Sequence, residues 1–98
     1  MEIIDHKLPS TTFIHDTTLN GIVEGDLTAS EGIHAVINGI VTGDLIIRAG
    51  SYVDINGIVN GSVINEGGHV KVYGMAGYIR DIGSTQTLVD SAAIIRFA

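Results

Sequence analysis

The sequence has no cysteine and no tryptophan, a single proline, two phenylalanines and three tyrosines. The missing cysteines exclude disulfides, thiol nucleophiles and Cys-ligated zinc. The shortage of aromatics leaves a core to be built from Val, Ile, Leu and Ala, which suits strands better than a helical bundle. Positive charge is scarce too: five Lys and Arg stand against eleven Asp and Glu, for a net charge of −6. Such a chain repels phosphates, so no nucleic acid is expected as a partner, and it repels anionic membrane surfaces. No apolar run approaches the roughly 20 residues of a membrane-spanning helix. The opening MEIIDHKLPS does not read as a signal peptide, and the expected location is cytoplasmic.

What is abundant is glycine, thirteen in 98 residues. With so little proline, these point to repeated tight corners within one domain rather than to a linker. NGIVEGDL at 20–27 returns as NGIVTGDL at 38–45 and NGIVNGSV at 56–63, eighteen residues later each time. Alignment of the copies gives columns of like residues. Leu19, Ile37, Ile55 and Val72 form one; Val23, Val41, Val59 and Ala76 another; Leu27, Leu45, Val63 and Ile79 a third. Glycines align as Gly21, Gly39, Gly57 and Gly74, as Gly25, Gly43, Gly61 and Gly77, and as Gly32, Gly50 and Gly67. Three clear units cover 18–35, 36–53 and 54–70, and a degraded one covers 71–87. The flanks, 1–17 and 88–98, do not repeat and are expected to act as N- and C-terminal caps.

Within a unit, aliphatic and polar residues alternate, and period two means strand. A helix is excluded, because each recurring glycine would cost about 1 kcal/mol in its interior. Asn-Gly is also a hairpin signal, so an antiparallel meander competes with a parallel solenoid. A meander does not need one turn to return every eighteen residues; a solenoid does, because each coil stacks in register on the last. The expected fold is an all-β parallel β-helix (β-solenoid) of about four coils, 17–18 residues per coil. Asn20, Asn38 and Asn56 should bond as a ladder from coil to coil.

The repeated NG-I-V-x-G-D-L phrase over about residues 18–80 resembles the bactofilins, bacterial polymer-forming β-helix proteins. The resemblance implies a right-handed coil of triangular section and end-to-end assembly into filaments without nucleotide. The chain departs from that pattern in having fewer coils, in lacking polar Pro-rich tails, and in ending on the apolar LVDSAAIIRFA.

No catalytic motif stands out: there is no phosphate-binding Gly-Lys-Ser/Thr loop, no GxSxG elbow and no calcium-binding nonapeptide. His34 and His69 share a column with Tyr52 between them, which reads as a solvent-facing column rather than a metal site. No catalytic residue, metal or cofactor is expected. The acids are more suggestive. Asp26 and Asp44 stack in one outward column beside Glu24, with Asp54 and Glu66 adding charge nearby; these five are the candidate partner-binding residues. Ile22, Ile40, Ile58 and Met75 form an outward aliphatic column, a candidate hydrophobic interface. The expected function is a non-enzymatic protein-binding module: an acidic immunity or inhibitor protein that neutralises a basic protein such as a toxin nuclease. The alternative is a bactofilin-like, self-polymerising subunit, a homo-oligomer.

Overall fold

The computed structural model describes residues 1–97. The alternating repeats form strands throughout, and no helix occurs among the described residues. In chain order the strands are β1 (Glu2–Ile4), β2 (Lys7–Phe13), β3 (Thr17–Leu19), β4 (Ile22–Ala29), β5 (His34–Ile37), β6 (Ile40–Val41) and β7 (Leu45–Ile47). They continue as β8 (Tyr52–Ile55), β9 (Ile58–Asn65), β10 (His69–Val72), β11 (Met75–Asp81), β12 (Leu88–Val89) and β13 (Ile94–Ile95). Every pairing is parallel. One sheet runs β1-β3-β5-β8-β10-β12; the other runs from β2 through β4, β6 and β7, then β9 and β11, to β13. The chain is therefore a parallel β-solenoid, not a meander of hairpins.

The repeat columns stack as read. Ile37 pairs with Ile55, Val41 with Val59 and Leu45 with Val63, and all six are fully buried. Burial of each such side chain contributes about 1.5–3 kcal/mol. Asn38 Nδ2 donates to Asn20 Oδ1 at 3.0 Å and Asn56 Nδ2 to Asn38 Oδ1 at 2.9 Å. This amide ladder fixes the register at the first corner.

The glycine columns serve two needs. Gly50 has φ 75° and turns the third corner of its coil, a conformation open to glycine at little cost. In the column Gly25, Gly43 and Gly61, only Gly25 has positive φ. At Gly43 the constraint is instead the coil before: an added Cβ would meet the Asp26 carboxylate and lie 2.7 Å from Gly25 O.

The coil count is the main correction. There are six coils rather than four, because the flanks read as caps are coils themselves. β1 and β2 lay Ile4 over Leu19, Leu8 over Val23 and Phe13 over Ala29. The large Phe13 stacks on the small Ala29, so the column keeps its volume in a shorter coil. β12 and β13 place Val89 under Val72 and Ile95 under Ala76. The flanks thus extend the stack as its first and last coils; Ala98, the last residue of the expected C-terminal cap, lies outside the described residues.

Candidate functional site

The acidic column is built into the backbone. Asp26 N–H donates to Ser10 Oγ at 3.0 Å, Asp44 N–H to Asp26 Oδ1 at 2.8 Å, and Ser62 N–H to Asp44 Oδ1 at 2.8 Å. Each side chain accepts from the next coil's amide at the second corner. The acids tolerate stacking because each carboxylate is held by a hydrogen bond rather than left facing its neighbour. Sequence reading placed Asp26 and Asp44 correctly in one outward column, but gave them charge alone as a use. The signal it passed over was chemical: Ser10, Asp26, Asp44 and Ser62 are all side chains able to accept or end such a chain of bonds.

The other three acids lie apart. Glu24 forms an exposed pair with Lys7 at 3.0 Å, worth about 0–1 kcal/mol. Glu66 accepts from Arg48 Nη1 at 2.9 Å beside the third corner. Asp54 is on the outer face of the first sheet, with its Oδ2 3.3 Å from His34 Nε2. The five candidate residues therefore occupy three sides of the solenoid. Glu24, Asp26 and Asp44 come together; Asp54 and Glu66 do not join them.

The aliphatic column is a true surface stripe. Ile22, Ile40, Ile58 and Met75 are in register on neighbouring strands, each half-buried, and the stripe continues to the exposed Ile94. A groove of about 700 Å³ follows it beside the asparagine ladder. On the first sheet His34, Tyr52 and His69 share an outward column as expected. No cluster of three or more metal-ligating side chains occurs among the described residues, and no helix there is long and apolar enough to cross a membrane.

The ends were not legible from the repeats. At the first coil Ile4 and Leu8 are only partly buried. With Phe13 and Ile14 they line an opening of about 400 Å³. At the last coil Val89 stands in the same inward column as Leu19 and Val72 yet is 45% exposed. One corner of that end is sealed by polar bonds instead. Asn65, fully buried, accepts from Gly67 N–H at 3.1 Å and Gly68 N–H at 2.8 Å. Its Nδ2 donates to Thr87 Oγ1 at 3.3 Å, and Thr87 Oγ1 donates to Asp81 Oδ1 at 2.6 Å. The column Phe13, Ala29, Ile47, Asn65, Asp81 thus turns from apolar to polar along the stack.

No protein-family model, curated protein or solved structure matches the chain.

Proposed function

We propose that the protein is a non-enzymatic structural solenoid that associates with further copies of itself through its ends. The observation that carries this reading is the uncovered core. Among the described residues no segment covers the aliphatic columns beyond the first and last coils: they end on Ile4 and Leu8 on one side, and on Val89 and Ile95 on the other. β1 and β2 head their sheets, and β12 and β13 end them, each paired on one side only. Parallel edges and open apolar ends favour burial against another end. The bactofilin-like phrasing of the repeats points the same way. The buried polar side chains serve the fold: Thr17 and Ser51 donate to backbone carbonyls, and Asn65 and Thr87 hold the last corner.

Light scattering across a concentration series tests the reading. The wild-type mass should exceed one chain and rise with concentration. Val89→Lys, at the open end, should return it to one chain with an unchanged circular dichroism spectrum. A wild-type protein that stays a single chain up to about millimolar concentration, where even weak contacts of a few kcal/mol populate the complex, sinks the proposal.

A second reading rests on the net charge of −6: an acidic protein of the immunity or inhibitor type that neutralises a basic protein. The dispersal of its acids over three sides, most of them already bonded, leaves it without one concentrated patch. Capture of a basic protein by a monomeric wild-type chain, lost on Glu24→Lys, would favour it over end association.

A further inference from the structure

The outer face of the first sheet carries polar side chains that no ladder uses. Tyr52 and His69 stack there, ring centroids 4.7 Å apart and planes 15° from parallel. His34 stands on the coil before them, and Asp54 faces Lys71 in the neighbouring column. Together with Gln86 these residues line a cleft of about 410 Å³, within the range of about 300–1,000 Å³ common to small-ligand sites.

We propose that this cleft binds a short neutral oligosaccharide. Its groups are available: among the described residues Tyr52, His69, Lys71 and Gln86 make no side-chain hydrogen bond or ion pair. Lys71 faces Asp54 in the register yet does not pair with it. The set mixes acceptor, donor and two-way groups: a carboxylate, an ammonium, an amide, a phenol and imidazoles. Hydroxyls both donate and accept, so a sugar satisfies such a mixture where a plain anion or cation satisfies only part of it. Asp54 and Lys71 offset each other locally, and the overall charge of −6 disfavours an anionic ligand. Tyr52 is 55% exposed; the rings of Tyr52 and His69 spend one face each on the other, and the outward edges of the pair add apolar contact surface for a pyranose. The rungs repeat at about 4.8 Å, a step close to that of one sugar in an extended chain, so successive sugars meet successive rungs. The cleft lies on the outer face of the first sheet; it reaches Gln86 and Leu88 of the last coil and leaves the first coil free.

The test is a titration of isotope-labelled protein, followed amide by amide by NMR, with cellotetraose, chitotetraose and, for comparison, the acidic trigalacturonate. The neutral ligands should shift amides near residues 52–54, 69–71 and 86–88 and saturate at about millimolar concentration. Tyr52→Ala should weaken binding about tenfold or more, while Tyr52→Phe keeps most of it, since the ring stays. Thr42→Ala, on another face, should change nothing. If Tyr52→Ala does not fold, His69→Ala and Gln86→Ala carry the same expectation. The proposal is overturned if neither neutral ligand shifts these amides, if the shifts map to another face, if the Tyr52 or His69 variants bind as well as wild type, or if trigalacturonate binds more tightly than both.

Discussion

Pro9 lies opposite Glu24 in the parallel register of β2 and β4, and so occupies the first rung of a column whose amides point backward. Thr42, eighteen residues beyond Glu24, donates its N–H to Val23 O of the coil before at 3.0 Å. The only proline of the chain thus stands where an amide would project past the first coil. It removes a donor that an added strand would need. The first coil thus offers an added strand one donor fewer. Pro9→Thr restores the donor and should shift the light-scattering mass upward at fixed concentration. An unchanged mass distribution would show that this amide does not limit association.

The aspartate ladder makes a stability prediction that the charge reading did not. Asp44→Ala leaves the Ser62 N–H without its acceptor and should cost about 1–3 kcal/mol in denaturant unfolding. Asp44→Asn keeps an acceptor oxygen and should cost less. Glu24→Ala loses only an exposed ion pair, and the change should stay within about 0.5 kcal/mol. Equal midpoints for Asp44→Ala and Glu24→Ala would deny the ladder its role. Reversal of Asp26 and Asp44 to Lys, harmless if both merely faced solvent, should therefore destabilise the fold.

Gly39 and Gly32 separate the two uses of glycine. A Cβ at Gly39 would collide with the carbonyl oxygen of Gly21 on the coil before. Gly32 has φ 74° and open space around its Cβ position. Gly39→Ala should cost about 3 kcal/mol or more, because a backbone atom must move. Gly32→Ala carries only conformational strain and should cost about 1 kcal/mol. Thermal or denaturant midpoints in the reverse order would show that coil spacing is looser than this stack implies.

The middle coils were legible because every rung repeats. Ile37 predicts Ile55, and Asn38 predicts Asn56, since each coil templates the next. The ends were not, because coil length changes there and identity is lost. A fainter signal survived: Ile4 and Leu8 keep the four-residue spacing of Leu19 and Val23, or of Ile37 and Val41, around the same corner. The candidate site was legible by position and not by use. Side-chain alternation places Asp26 and Asp44 outward, but only the corner geometry turns their carboxylates onto the next coil's amides. Likewise Asp54 and Glu66 are near Asp44 in sequence, while each lies past a further corner and so on another side.

Asn65 illustrates a position where alternation alone misleads. It sits in an aliphatic column under Ile47, where leucine would fit the pattern. Asn65→Leu should nevertheless lower stability by about 2–3 kcal/mol, because the Gly67 and Gly68 amides lose a buried acceptor. An unfolding midpoint at or above wild type would show that water replaces the asparagine oxygen without loss.

The asparagine ladder also bears on chemical ageing. An Asn-Gly pair deamidates when the glycine nitrogen attacks the asparagine side-chain carbon and ammonia leaves, and three such pairs form the first corner of the repeats. Here the attacking nitrogens are engaged: Gly39 N–H donates to Leu19 O at 2.9 Å and Gly57 N–H to Ile37 O at 2.8 Å. The side chains under attack are bonded to one another from coil to coil. A bond that must be broken, and an amide that must turn out of its ladder, both raise the barrier to the cyclic imide. The exposed Asn60, followed by Gly61 but outside the ladder, keeps only the first of these protections. Conversion to aspartate or isoaspartate should begin at Asn60, and the folded stack thus sets the order in which its own asparagines wear out.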